Sequence, residues 1–170
     1  MQKIAKFEKV SPEQFRKDWM EQFPEDSREK TDRIYESIRL PKRATSGSAG
    51  YDFFAPETFS LKPGEGTKIP TGIRVRMEEG WVLKMYPRSG LGFKYRLQLD
   101  NTVGIIDSDY YDSDNEGHIQ IKLTNDSRTG KSMEVSAGTG FAQGIFVEYG
   151  ITVDDEAVEK RNGGFGSTTR

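Results

Sequence analysis

Cysteine is absent from the chain and histidine occurs once, at His118. Without a thiol there is no disulfide framework, no thiolate nucleophile and no thiolate metal site. A single imidazole argues against serine–histidine catalysis and imidazole-based zinc sites, and His118 itself reads as an ordinary surface or strand residue. Neither sign of charge is in surplus: 25 Lys and Arg stand against 27 Asp and Glu, for a net charge of -2. Bulk electrostatics therefore draws the chain neither to nucleic acid nor to an anionic membrane, and a polyanionic ligand must be met locally. Long apolar runs are missing too. Nothing approaches the ~20 residues of a membrane span, and the N-terminus lacks the apolar core of a signal peptide. The expectation is a cytoplasmic protein.

What is present is lean but foldable. Hydrophobic residues make up 34% and aromatics 11%, with 18 glycines, a composition for a compact, turn-rich protein. A length of 170 residues suits one well-buried core with appendages. Residues 3–10 alternate loosely, as a short strand does. Ser11-Pro12-Glu13-Gln14 predicts a helix start: Ser11 as N-cap, Pro12 where a missing N–H costs nothing, and Gln14 closing a capping box. Phe15, Trp19 and Phe23 recur every four residues and put one aromatic stripe on that helix. Packing is the expected use of the stripe, with a protein partner as the alternative. Residues 24–32 read as a mobile connection and residues 34–40 as a strand that Pro41 ends. Short strands follow at residues 51–55, Ile73–Met77, 81–86 and 118–123, between Gly and Pro turn signals. Residues 141–149 are apolar almost throughout and predict a central strand. Repeated short strands of this kind point to an all-β sandwich or barrel.

Chemistry concentrates in a few stretches. In Asn101-Thr102-Val103-Gly104-Ile105-Ile106-Asp107-Ser108-Asp109-Tyr110, β-branched residues that favour extended backbone give way to turn formers. A strand thus delivers Asp107 to a rim, where a carboxylate can be a general base, a metal ligand or a turn residue bonded to nearby amides. Pro87-Arg88-Ser89-Gly90-Leu91-Gly92 follows a strand and offers a guanidinium, a hydroxyl and accessible amides. That set suits a phosphate oxygen, although an ordinary turn has the same composition. Gln143 places a neutral amide within an apolar strand, where it needs a partner. The tail carries Arg161, Phe165, Ser167 and Thr168 among glycines, as a flexible lid or an end with no role would.

Taken together, Ala49-Gly50-Tyr51-Asp52-Phe53, residues 87–92, residues 104–110, Phe141-Ala142-Gln143 and residues 161–168 resemble the five ordered motifs of the trimeric dUTPases. The resemblance covers about residues 34–170, and none was found for residues 1–33. It implies a jelly-roll-type β-barrel over 34–158 and a mobile C-terminal arm over 159–170, to which the residue patterns add an N-terminal extension with one helix over 1–33. It also implies Mg²⁺-dependent hydrolysis of dUTP to dUMP and pyrophosphate, in a homotrimer with sites between subunits. Carried over by position, Asp107 would activate the water that attacks the α-phosphorus, and Asp52 would help organise the metal's water shell. Arg88, Ser89, Gly90 and Gln143 would bind phosphate oxygens, with Ser89 near the leaving bridge oxygen. Asn101 and the backbone of Val103, Gly104 and Ile106 would read uracil, and Tyr110 would lie beneath deoxyribose. Phe165 would cover uracil while Arg161, Gly166, Ser167 and Thr168 hold the outer phosphates. The metal would be held by substrate phosphates and waters, with no dedicated protein ligands.

Two departures from the pattern stand out. An acidic insertion, Tyr111-Asp112-Ser113-Asp114-Asn115-Glu116, precedes Gly117-His118, and is expected to bulge harmlessly from a hairpin, with an acidic lip beside the sugar pocket as the alternative. Gly138-Thr139-Gly140 lacks the charges common before the fourth motif. Two other readings compete: a dCTP deaminase of the same fold, and a nucleotide-responsive binding module using the N-terminal helix. Pyrophosphate from dUTP without ammonia from dCTP excludes the first, and turnover in Mg²⁺ excludes the second.

Overall fold

The protein is seen in a computed structural model that describes residues 1–159 and Arg161. In chain order these form β1 (Ala5–Lys9), α1 (Pro12–Gln22), α2 (Arg28–Ser37), β2 (Lys42–Arg43), β3 (Tyr51–Phe54) and β4 (Phe59–Leu61). They continue as β5 (Gly66–Pro70), β6 (Ile73–Met77), β7 (Trp81–Pro87), α3 (Ser89–Tyr95), β8 (Leu97–Leu99) and β9 (Gly104–Ile106). A 3₁₀ turn (Ser108–Asp112) leads to β10 (Gln120–Asn125), β11 (Met133–Val135) and β12 (Gly140–Glu148). The strands make a five-stranded sheet ordered β2-β3-β12-β7-β9, a three-stranded sheet β5-β10-β8, and the pairs β1-β6 and β11-β4. This is the expected all-β, jelly-roll-type architecture, with ladders in separate sheets and not in one continuous ring.

The apolar run of β12 is central, as its composition predicts. It pairs antiparallel with β3 on one side and β7 on the other. Phe141, Ala142, Phe53, Leu83 and Met85 from these strands are buried and join Ile69, Ile121 and Leu123 in one core. Strands approach so closely at Gly144 that an added Cβ would stand 2.8 Å from Leu83 Cδ1.

The N-terminal stretch differs most from expectation. The predicted connection over residues 24–32 and the predicted strand over 34–40 are largely replaced by α2, which runs across the 33/34 division. Ser27 caps this helix by accepting from Lys30 N–H at 3.1 Å, and Thr31 and Ile34 are its buried residues. A surface that is nearly all charge hides this narrow apolar stripe, and β-branched Ile34 misleads a reading based on strand propensity. On α1, Ser11 is the N-cap and accepts from Gln14 N–H, but the capping box is not completed. The Gln14 amide donates to Asp18 at 2.8 Å, and Ser11 N–H finds Glu116 instead, at 2.7 Å. Phe15 and Trp19 are buried in the common core, with Phe23 packed against it, so the stripe serves packing.

His118 also departs from expectation. It precedes β10 in a loop and is fully buried. Its Nε2 accepts from Gly72 N–H at 2.8 Å, which leaves the ring proton on Nδ1, facing the Asp18 carboxylate. Burial pushes the Asp18 carboxyl up, but the hydrogen bonds from His118 and Gln14 outweigh it and hold the group below its ordinary value.

Candidate active site

The sheet sorts the sequence-predicted residues into two clusters. The first lies where β3, β12 and the end of β7 stand side by side. Asp52 is directly opposite Gln143, and Gln143 is opposite Tyr86, so their side chains share one face. Arg88 reaches across with Nε 3.4 Å from Asp52 Oδ1, and Gln143 Nε2 donates to Pro87 O at 3.1 Å. The predicted turn at Pro87–Gly92 is instead the start of α3, with Arg88 at the N-cap position and making no side-chain capping bond. The first N–H groups of a helix have no intrahelical acceptor, which suits an anion. A Cβ on Gly90 would meet nothing within the chain, so packing does not require glycine there. An open cleft of about 490 Å³ is bordered by Arg88, Ser89, Gly92, Phe93 and Gln143.

The second cluster gathers at β9. Its register against β7 is Leu83↔Ile106, Lys84↔Ile105 and Met85↔Gly104. Gly104 is needed here, because an added Cβ would stand 2.9 Å from Met85 Cβ. Between β8 and β9 the chain turns through Asn101, which is exposed, and Thr102, whose φ of 63° is left-handed. A β-branched residue rarely adopts that conformation. Val103 N–H donates to Asn101 O at 2.7 Å, tightening the turn.

Past Ile106, Asp107 occupies the N-cap position of the 3₁₀ turn but makes no side-chain capping bond, so its carboxylate does not serve its own turn. It faces Arg161, whose Nη2 lies 2.6 Å from Asp107 Oδ2. The same guanidinium comes within 3.4 Å of Asp109 Oδ1 and 5.5 Å of the centre of the Tyr110 ring. Tyr110 is buried, donates from its hydroxyl to His118 O at 2.9 Å and accepts from Asn115 Nδ2 at 2.8 Å. Burial pushes its phenol up.

Arg161 therefore stands with Asp107 and apart from the Arg88–Ser89 cluster. Phe165, Gly166, Ser167 and Thr168 lie outside the described residues. Among the described residues no three His, Cys, Asp or Glu side chains converge on a metal position.

Among the described residues, Asp107 and Arg88 lie at different levels of β7. Asp107 follows the residue opposite Leu83, level with Val82, whereas Arg88 is six residues further along β7. At a strand rise of ~3.3 Å per residue the two are separated by roughly 20 Å. Asn115, which donates to the Tyr110 hydroxyl, is a neighbour of the predicted site that sequence reading missed. The insertion expected to bulge harmlessly turns inward, with Tyr111 and Ser113 buried. The signal available was Asn115-Glu116-Gly117, turn chemistry that folds the segment back on itself.

Comparison with known proteins gives a consistent result. A sequence profile of the dUTPase family matches residues 36–169. The deoxyuridine 5'-triphosphate nucleotidohydrolase of Lactococcus lactis is 46% identical over 134 residues, spanning 77% of this chain and 88% of that protein. A crystal structure of dUTPase from Streptococcus mutans superposes with a TM-score of 0.60 at 36% identity, over 71% of this chain and 91% of that one. The phage phi11 dUTPase, described with a structural Mg(II) ion, superposes with a TM-score of 0.63 at 21% identity, over 92% and 98% of the two chains. That last likeness concerns the fold.

Proposed function

The chain belongs to the dUTPase family, and from that premise we propose how it hydrolyses dUTP to dUMP and pyrophosphate at sites completed between copies of itself. Asp107 takes the proton from a water that attacks the α-phosphorus in line with the departing pyrophosphate. Arg88, Ser89, Gly90 and Gln143 of a neighbouring copy hold the phosphates and absorb charge as it develops on the leaving oxygen. Asp52 holds the Arg88 guanidinium and would help order the water shell of a metal brought with the triphosphate. Asn101, with the backbone of Val103, Gly104 and Ile106, reads the uracil edge, and Tyr110 supports the deoxyribose. Arg161 covers Asp107 until substrate arrives and then turns to the outer phosphates. The roles of Phe165, Gly166, Ser167 and Thr168 follow from their motif alone.

Mg²⁺ keeps several waters and binds largely through substrate phosphates, so isolated carboxylates such as Asp52 fit a metal that arrives with the triphosphate. Bound there, it would draw charge from the phosphate oxygens.

The observation that carries this reading is the separation along β7: a base and a phosphate cradle roughly 20 Å apart cannot act on one phosphorus. Each half-site also has an exposed apolar neighbour, Phe93 at 94% and Ile105 at 50% exposure. One patch meeting a different patch on the next copy is a head-to-tail contact, which closes into a ring when the rotation allows. A homotrimer is such a ring.

Co-expression of Asp107→Asn and Arg88→Ala chains tests this. Each variant alone is expected to be nearly inactive. Mixed rings restore up to about a quarter of the sites, because an intact Asp107 then meets an intact Arg88 from another copy. Mixing without recovery would place both residues in one chain's site and overturn the reading.

A further inference from the structure

The two parts of this chain that depart from the family pattern, the N-terminal stretch and the insertion after Tyr110, are bonded to each other. Tyr111 donates its hydroxyl to Glu8 on β1. Glu116 accepts from both Ser11 N–H, at 2.7 Å, and Ser11 Oγ, at 2.6 Å. His118 meets Asp18 on α1. Each of these N-terminal partners precedes residue 36, where the family match begins. From the barrel side, Arg74 on β6 donates to Tyr111 O at 2.8 Å and stacks its guanidinium 3.5 Å from the centre of the Tyr111 ring.

Between these ties the backbone is forced into a tight bend. Glu116 and Gly117 have left-handed φ values of 58° and 67°. The bend presses so closely on Tyr110 that a Cβ on Gly117 would stand 2.6 Å from Tyr110 O. A left-handed glutamate costs free energy that its surroundings must offset, and the Ser11 bonds hold it there. What the bend delivers is Asn115. Gly117 N–H donates to Asn115 Oδ1 at 3.2 Å, which fixes the amide orientation and aims Nδ2 at the Tyr110 hydroxyl, 2.8 Å away. His118 supplies the carbonyl that accepts from the same hydroxyl.

We propose that Asn115 is a positioning residue for sugar discrimination: it fixes the Tyr110 ring through its hydroxyl, and the N-terminal stretch holds Asn115 in place through Ser11 and Glu116. This rests on the reading of Tyr110 as the support beneath deoxyribose. A ring held by two hydrogen bonds cannot retreat to admit a ribose 2′-hydroxyl. Without the Asn115 bond, the ring loses one of the restraints that hold it against such a retreat. The N-terminal stretch thereby contributes to substrate choice while touching no substrate.

The test is kcat and KM for dUTP and UTP in wild type, Asn115→Ala and Glu116→Gln, in the full chain with Mg²⁺. Loss of one hydrogen bond is expected to lower the dUTP-over-UTP ratio of kcat/KM by roughly three- to tenfold in Asn115→Ala. Glu116→Gln keeps the shape of the bend and removes its charge, and is expected to lower the ratio in the same direction by less. A purely structural role would reduce activity on both nucleotides equally. Unchanged ratios in both variants, beside a wild type that discriminates, overturn the brace and leave the proposed hydrolysis standing. A wild type that hydrolyses both nucleotides equally removes Tyr110 from sugar selection and the brace with it.

Discussion

At the scale of the residue, the decisive contrast is between Asp107 and its neighbours. A carboxylate at a strand end usually serves its own turn, and Asp107 does not. Asp107→Asn is therefore expected to leave the fold and the binding of a non-hydrolysable dUTP analogue intact while lowering kcat by ~10²- to 10⁴-fold, the usual contribution of a general base. Single-turnover hydrolysis and calorimetric titration of the analogue separate the two effects. Unchanged turnover would remove Asp107 from the mechanism. Thr102 makes a second residue-scale case, with its left-handed φ beside Asn101. Thr102→Gly relieves local strain, so thermal unfolding is expected at an unchanged or higher temperature, with a raised KM as the turn proposed to read uracil loosens. Asp107, Arg88 and Gln143 drew attention in the sequence through the joint order of their motifs, since a turn or a packing role could account for each one alone. Asn115 did not, because the role proposed for it depends on a bend held through Glu116 by Ser11, which is far away in the sequence.

At the scale of the element, α1 and α2 act as part of the body. Phe15 is fully buried and its ring centre lies 5.4 Å from that of Trp19 and 5.6 Å from that of Tyr35 on α2. Phe15→Ala is expected to destabilise the protein by about 3–5 kcal/mol, read as a shift in the urea midpoint. Asp18 adds a pH dependence. Its folded carboxyl lies below the ordinary value, so its stabilisation is complete above about pH 4 and is lost as pH falls through the folded value. The gap in melting temperature between wild type and Asp18→Asn should be widest near neutrality and narrow below about pH 4. A gap independent of pH would mean that the Asp18 charge contributes nothing. The start of α1 was readable because Ser11-Pro12 is a local signal. Helix α2 was not, since its apolar face is reduced to Thr31, Ile34 and a few neighbours among charges.

At the scale of the whole molecule, short strands between Gly and Pro turns announced the all-β fold, and the continuous apolar run announced β12 as central. What spacing could not convey was register. Only the pairing of β9 with β7 shows that Asp107 and Arg88 lie toward opposite ends of one strand, and under the roles proposed for them a dependence on assembly follows. Specific activity should fall on dilution below the concentration at which rings dissociate, with far-ultraviolet circular dichroism unchanged, and added chain should restore it. Constant specific activity down to dissociated chains would contradict shared sites. The two tryptophans provide a means to watch the two ends separately. Trp19 is buried in the helical pair, bonded to Asp26 at 3.0 Å, while Trp81 opens β7 at the Asp107 end. Nucleotide should therefore change the emission of Trp81 and leave that of Trp19 nearly constant, so a chain with either indole replaced by phenylalanine becomes an optical gauge of one region alone.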